Sequence, residues 1–127
     1  MSEAILAVED DALNRAVLFE MLKVIAPGVD VTFVVDGIEA IEFLHDHHFS
    51  LILTDINMPR MDGKALLSAL RNEVGSKVPV IAITALAVMG DRDKLIDMGF
   101  DDYIPKPIDM RFLQQTLERF IPLTTSS

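Results

Sequence analysis

Polar side chains that could do chemistry stand where apolar runs of strand length end. They are Glu9, Asp10, Asp11, Asp55, Thr84 and Lys106. The carboxylates offer only oxygen ligands, a set that suits a hard cation such as Mg²⁺ or Mn²⁺. A cation there would keep coordination positions open for a phosphate oxygen, to which Thr84 could donate a hydrogen bond and Lys106 could offer a positive charge. These residue types therefore predict a site for phosphoryl transfer.

The spacing of the carboxylates carries an electrostatic cost. Two carboxylates at a separation of about 5 Å repel each other by about 3 kcal/mol at an effective dielectric near ~20. Polar residues are common wherever a strand leaves a core, which is enough to explain a single carboxylate at a strand end. Two carboxylates close together, Asp10 and Asp55, favour instead a positive group between them. The sequence has no Gly-rich phosphate loop of the GxxxxGKS type. The phosphoryl group is therefore expected to arrive on another molecule and not on a bound nucleotide.

Five apolar runs alternate with stretches of helical spacing, which predicts an α/β fold with a parallel sheet. The runs are residues 4–8, 29–35, 51–54, 78–83 and 102–104. The apolar residues at helical spacing are Leu13, Val17, Met21 and Val24; Ile38, Ile41 and Leu44 or His45 as a buried stripe; Leu66, Leu67, Leu70 and Val74; a stretch from about 87 to 98; and Met110, Leu113, Leu117 and Phe120. Because the strands are apolar throughout, we expect helices on both faces of the sheet. For five βα units we expect a flavodoxin-like, doubly wound (βα)5 fold of strand order 2-1-3-4-5, with ligands at the carboxyl ends of strands 1 and 3.

The composition is that of one acidic domain. The chain has 127 residues, a net charge of −9 and no cysteine. The acidity argues against a basic nucleic-acid surface, and the lack of thiols excludes disulfides, thiolate metal sites and cysteine nucleophiles. No stretch approaches the roughly 20 apolar residues of a membrane span. We expect a cytoplasmic domain over residues 1–122 and a disordered tail over 123–127, without membrane insertion or direct nucleic-acid binding.

Four ordered segments resemble the receiver domain of two-component response regulators. They are residues 5–11 (ILAVEDD), 53–63 (LTDINMPRMDG), 83–85 (ITA) and 101–107 (DDYIPKP). The resemblance extends from about residue 4 to residue 120, nearly the whole chain. It implies a single-domain regulator or a receiver excised from a hybrid kinase.

The resemblance implies a role for each residue at the strand ends. Asp55 is the implied phosphoacceptor, assisted by Lys106 and Thr84. The implied Mg²⁺ ligands, with Mn²⁺ as an alternative ion, are Asp55, Asp10, Glu9 through a water molecule and the backbone carbonyl of Asn57. Catalysis would consist of positioning and charge neutralisation, since a carboxylate is a modest nucleophile.

The resemblance also implies a switch and partners. Phosphorylation draws Thr84 toward the phosphoryl group and turns Tyr103 inward, which changes the face made by the fourth helix, fifth strand and fifth helix. The donor would be a histidine kinase or a histidine phosphotransfer protein, which docks on a surface near Asn14, Arg15 and Leu18. The output would be a downstream protein partner, with phosphorylation-dependent homodimerisation as a further expectation. The domain would catalyse only its own phosphorylation and dephosphorylation, so it is not expected to be an enzyme with an external product.

Two other classes stay open on the residues alone. A phosphohydrolase of the haloacid dehalogenase type also uses an aspartate nucleophile with Mg²⁺, but it places a DxD motif on the first strand, where this chain has Asp10, Asp11 and Ala12. A flavodoxin-like redox protein would need a phosphate-binding loop instead of a rim of carboxylates.

Three local features carry further expectations. The Lys106–Pro107 bond is expected to be cis by the family pattern, and Gly99 is expected to end the fourth helix in a left-handed conformation. Phe100 stands where the family usually has a small residue, which raises a question about the packing of that helix. The histidines His45, His47 and His48 are expected to form a solvated helix end and not a metal site.

Overall fold

Five short apolar strands form one parallel sheet. They are β1 (Ala4–Val8), β2 (Asp30–Val34), β3 (Leu51–Asp55), β4 (Val80–Thr84) and β5 (Asp102–Pro105). The computed structural model describes residues 3–56, 61, 63–85 and 91–123, with only the backbone at 91 and 92. Within these residues the strand order is β2-β1-β3-β4-β5, with parallel pairing throughout. The predicted flavodoxin-like (βα)5 topology is confirmed.

Helices connect the strands and cover both faces of the sheet. They are α1 (Ala12–Ile25), α2 (Gly37–Asp46), α3 (Gly63–Ala69) with a π-helical turn at Leu70–Val74, α4 (Asp91–Met98) and α5 (Met110–Glu118). Aspartates begin three of them: Asp11, Asp36 and Asp109 each accept a hydrogen bond from a backbone N–H in the first turn. None of the helices in the described ranges is long and apolar enough to cross a membrane.

The sheet separates two apolar clusters, because successive side chains of each strand point to opposite faces. Ile5 and Ala7 of β1 face the cluster that contains α1 and α5, whereas Leu6 and Val8 face the cluster that contains α2, α3 and α4. We call these surfaces the α1/α5 face and the α2–α4 face. Their alternation sets the direction in which each residue at the carboxyl end of a strand points.

The helical spacing predicted α1 but not its buried face. Leu18, Leu22 and Ile25 are the buried residues of α1. The residues at helical spacing, Leu13, Val17, Met21 and Val24, lie largely on the solvent-facing side of the helix. Leu13 is 71% exposed and Val24 is 67% exposed. A helix with apolar residues on two sides buries the side that the sheet covers, and the sequence pattern does not identify that side.

The buried side of α2 and several element bounds also differ from the predictions. Ile38 and His45 are exposed, so the buried side of α2 is formed by Ala40, with Ile41 and Leu44 partly buried. Strand β2 is shorter than residues 29–35, and β4 begins at Val80 instead of residue 78. Helix α4 begins at Asp91, and the predicted start near residue 87 lies outside the described residues.

The end of α4 is built around Gly99 and Phe100. Gly99 has φ = 110° and donates its N–H to the Ile96 carbonyl, while the Phe100 N–H reaches the Leu95 carbonyl. This pair of bonds is the Schellman arrangement, and it confirms the predicted left-handed end of the helix. Phe100 is 2% exposed and packs in the cluster of the α2–α4 face with residues such as Leu67. The large ring is therefore a core residue that anchors the end of α4.

We predict that Phe100→Ala destabilises the domain although a small residue is usual there in the family that the sequence resembles. Removing a fully buried phenyl ring costs about 3–5 kcal/mol of unfolding free energy, because the surrounding core relaxes only partly. Urea unfolding measures this loss. Phe19→Ala is the control, since Phe19 is 43% exposed and should lose much less. Equal losses in the two variants would contradict the assignment of Phe100 to the core.

Candidate active site at the carboxyl ends of the strands

Strand alternation brings three charged residues to the same side of the sheet. Glu9 follows Ile5 and Ala7 in the alternation of β1, Asp55 follows Leu53 in β3, and Lys106 follows Ile104 in β5. The Glu9 N–H still donates to the Val34 carbonyl, and the Lys106 N–H donates to the Thr84 carbonyl, so the ladder holds both residues just beyond their strands. The charged side chains consequently meet at the carboxyl edge of the α1/α5 face.

Lys106 forms the closest ion pair in this group. Its Nζ lies 2.6 Å from Asp55 Oδ2 and 3.6 Å from Glu9 Oε1. Both carboxylates are buried, whereas Asp10 is exposed. The lysine thus offsets part of the negative charge that the sheet brings together.

The pKa values follow from burial and from these neighbours. Burial raises the pKa of the Glu9 carboxyl; the backbone N–H of Asp11 opposes this rise, and the Asp55 charge adds to it. Burial alone would lower the pKa of Lys106, but the hydrogen bond to Asp55 and the charges of Asp55 and Glu9 raise it on balance. The lysine is therefore charged at neutral pH, and burial makes the charged form of Glu9 less favourable, an effect that a nearby cation would reduce.

The acidic cluster fits a Mg²⁺ ion. Glu9, Asp10 and Asp55 each offer a carboxylate oxygen, and these oxygens lie within 4.8 Å of one another. Octahedral Mg²⁺ holds its oxygen ligands at about 2.1 Å, so ligand oxygens lie at most about 4 Å apart. The upper limit of 4.8 Å between the carboxylate oxygens is close to that separation. Among the described residues no other three histidine, aspartate or glutamate side chains converge in this way, and His45, His47 and His48 are all exposed, as expected.

Backbone hydrogen bonds hold the acidic segment 9–11 in place. Glu9 Oε2 accepts from the Asp11 N–H at 3.0 Å, and Asp11 Oδ2 accepts from the Asn14 N–H at 2.8 Å. Arg15 donates from Nη1 to the backbone carbonyl of Glu9 at 2.8 Å. Sequence reasoning assigned Arg15 to a partner surface and missed this contact, although its position in the first turn after the acidic segment was a usable signal. Leu18, assigned to the same surface, is only 2% exposed and belongs mainly to the core.

The remaining predicted residues lie around this edge. Thr84 is buried at the end of β4, and Tyr103 is partly buried, with its ring centroid 6.2 Å from that of Phe112 on α5. The Lys106–Pro107 bond is cis, as expected. The backbone carbonyl of Asn57, an expected metal ligand, lies outside the described residues.

Gly63 lets α3 begin directly against the acidic cluster. A methyl group on Gly63 would lie 2.9 Å from both the Asp55 carbonyl oxygen and Ile56 Cα. These are backbone atoms, which have no room to move without distorting the strand end. The Gly63 N–H donates to the Ile56 carbonyl at 2.9 Å, so the lack of a side chain brings the helix start close to Asp55.

Comparison with known proteins identifies the family of this site. The family model described as "Response regulator receiver domain" matches residues 5–118. The chain belongs to the response regulator receiver family. The two classes left open by the residues, the haloacid-dehalogenase-type phosphohydrolase and the flavodoxin-like redox protein, are therefore not supported.

The similar proteins include both short and long relatives. The polar-differentiation response regulator DivK of Brucella ovis is 30% identical, with 95% of this chain and 98% of that protein covered. The hybrid signal transduction histidine kinase G of Dictyostelium discoideum is 34% identical over 94% of this chain, which spans only 4% of that kinase. The solved receiver domain of a Pseudomonas aeruginosa sensor histidine kinase is 37% identical, with a TM-score of 0.81 and 94% and 98% of the two chains covered. That neighbour has a magnesium ion coordinated in its active-site cleft.

We predict that Asp10→Asn stabilises this receiver domain when no metal is present. The substitution removes one of three clustered like charges, and an amide at position 10 can donate a hydrogen bond to the Glu9 carboxylate. Thermal unfolding in a chelator should show a Tm a few degrees above that of the wild type. Saturating Mg²⁺ should raise the Tm of the wild type but hardly that of Asp10→Asn, because only the wild type keeps the full ligand set. A larger Mg²⁺ response in the variant would contradict the assignment of Asp10 as a ligand.

Proposed function

We propose that this domain is a cytoplasmic phosphoacceptor, in which Asp55 takes a phosphoryl group from a phosphohistidine of a histidine kinase or a histidine phosphotransfer protein. The observation that carries the proposal is the placement of Lys106 Nζ 2.6 Å from Asp55 Oδ2, beside a carboxylate cluster that fits Mg²⁺. The relatives that are named histidine kinases and response regulators support the same chemistry. The domain acts as a signalling switch that catalyses only its own phosphorylation and dephosphorylation.

The proposed reaction is a direct displacement at phosphorus. A carboxylate oxygen of Asp55 forms the new P–O bond while the P–N bond to the donor imidazole breaks, and the leaving imidazole keeps the electron pair. Lys106 stays close to the negative charge of the reacting oxygens. Asp10 and Asp55, together with Glu9 through a water molecule and the backbone carbonyl of Asn57, would hold Mg²⁺ or, in its place, Mn²⁺, and the bound cation would neutralise charge on the phosphoryl oxygens. Autodephosphorylation follows when water attacks phosphorus and the Asp55 carboxylate leaves.

Thr84 and Tyr103 are the proposed switch residues. Thr84 is tied to the site because its carbonyl accepts from the Lys106 N–H at 2.8 Å. Tyr103 pairs with Ala82 in the β4–β5 register, and its ring packs beside Phe112 of α5. Movement of the Thr84 hydroxyl toward the phosphoryl group would thus change the packing of Tyr103, and with it the face made by α4, β5 and α5. We propose this face as the surface that a downstream protein, or a second copy of the chain, reads.

We predict that Asp55→Asn abolishes labelling by acetyl phosphate. The amide retains the shape of the side chain but is a far weaker nucleophile, so no acyl phosphate forms. Mass spectrometry of the intact protein, with Mg²⁺ and with a chelator, detects the added phosphoryl group.

Asp46→Asn is the control for that experiment, because Asp46 is exposed at the end of α2 and should label normally. Undiminished labelling of Asp55→Asn would overturn the proposal. Steady turnover of p-nitrophenyl phosphate by the wild type would instead favour a phosphohydrolase.

A groove beside Lys106 is the proposed docking surface for the donor. It has a volume of roughly 210 Å³ and is lined by Glu9, Asn14, Val17, Leu18, Lys106, Pro107 and Ile108. A donor imidazole must approach Asp55 in line, so the protein that carries it has to cover the surface next to Lys106. Val17 is 44% exposed, and Leu13 lies one turn before it on α1. These apolar side chains suit the apolar surface of a helical donor.

We predict that Val17→Glu slows phosphotransfer from a protein donor by roughly tenfold, as expected when a charge enters the middle of an apolar contact. Labelling by acetyl phosphate should stay unchanged, because the small donor needs no docking surface. Transfer rates from phosphorylated donor proteins, found by profiling candidate kinases, measure the effect. Val24→Glu makes the same change on the same helix outside the groove and should transfer normally. Equal rates for the two variants would place the donor on another surface.

A further inference from the structure

Arg15 makes a hydrogen bond that the start of α1 does not require. The helix already begins with a side-chain bond from the Asn14 N–H to Asp11 and a backbone bond from the Arg15 N–H to the Asp11 carbonyl. The guanidinium reaches back past both of these bonds to the Glu9 carbonyl, at 2.8 Å from Nη1. This contact therefore fixes the acidic segment and not the helix start.

The bonded carbonyl controls the residue that follows it. The Glu9 carbonyl and the Asp10 N–H belong to one planar peptide unit, so a hydrogen bond to the carbonyl sets the plane from which the Asp10 side chain departs. Glu9 has a second anchor in its Oε2 bond from the Asp11 N–H, and Asp55 is held by Lys106. Asp10 is the exposed member of the cluster, and its side chain departs from the backbone directly after the carbonyl that Arg15 holds.

We propose that Arg15 is a positioning residue for Mg²⁺, which orients Asp10 by holding the Glu9–Asp10 peptide. The proposal rests on the proposed function, because it concerns the same metal site. An arginine suits this role, since the planar guanidinium donates in a fixed direction to a carbonyl oxygen. Residues that orient metal ligands from outside the ligand set typically change metal affinity about tenfold or more when they are removed.

The experiment compares Mg²⁺ binding by variants of the full chain. Isothermal titration with Mg²⁺ should show that Arg15→Gln weakens binding about tenfold, the lower end of the usual range for such residues. Lys77→Gln is the matched control: it removes the same charge at an exposed position before β4, at the opposite edge of the sheet. That control should stay within about twofold of the wild type, because distant surface charges are screened. Arg15→Lys retains the charge and can still donate an N–H to the Glu9 carbonyl, so it should recover part of the affinity.

The outcomes separate this proposal from a structural role and from the proposed function. If Arg15→Gln folds normally in a chelator and binds Mg²⁺ as tightly as Lys77→Gln, the positioning role is overturned while the proposed function stands. If Arg15→Gln fails to fold, Arg15→Lys decides: weakened Mg²⁺ binding supports the role, and wild-type affinity overturns it. A wild type that binds Mg²⁺ but takes no label from acetyl phosphate refutes the proposed function alone. A wild type that binds no Mg²⁺ refutes both.

Discussion

The concentration of negative charge at one edge of the sheet is the constraint on which the rest of the site depends. Glu9, Asp10 and Asp55 place carboxylate oxygens within 4.8 Å of one another, and the packing of apolar strands forces them there. A slip of one residue between β1 and β3 would turn a whole strand over and bury its polar end. The two apolar faces therefore fix the register, and the register fixes the charges. The energy of core burial thus maintains a repulsion that Lys106 only partly offsets.

Lys106 connects this charge cluster to the rest of the fold. Its ammonium binds Asp55, and its backbone N–H binds the Thr84 carbonyl, so one residue joins the site to the ends of β4 and β5. The other end of β5 is held differently, since Asp102 is paired with Arg119 just after α5. Asp55 is therefore connected through Lys106 to one end of β5, while the other end of β5 is attached to Arg119 after α5. Under the proposed function, these contacts are the route by which a change of charge at Asp55 would reach β5 and Tyr103.

The sequence predicted the sheet order from the rules that govern connections between parallel strands, and it predicted which charged residues meet at one edge because the strand ends can be located in the sequence. Apolar runs ending in Glu9, Asp55 and Lys106 place those residues at one edge once the strands are parallel. The orientation of α1 did not follow, since Leu13 and Leu18 are equally apolar and only the covered side is buried. Nor did the contact of Arg15 with the Glu9 carbonyl, because the position of Arg15 after the acidic segment places it nearby but residue types do not show which backbone acceptor a side chain reaches. Phe100 shows the same limit, since its burial depends on space between α3 and α4 and not on local pattern.

The exposed apolar side of α1 lies between the proposed docking surface and the proposed metal site. Burial of Leu18 and Leu22 accounts for the folding of this helix, but it does not account for Leu13 and Val17. These two residues lie on the same first turns that carry Arg15, whose guanidinium holds the Glu9 carbonyl. A protein seated there would exclude water from the neighbourhood of the exposed Asp10, and charge interactions strengthen as water leaves. Donor binding and metal coordination would then reinforce each other through one helical turn, which is the physical reason to expect faster transfer from a docked donor than from a small one.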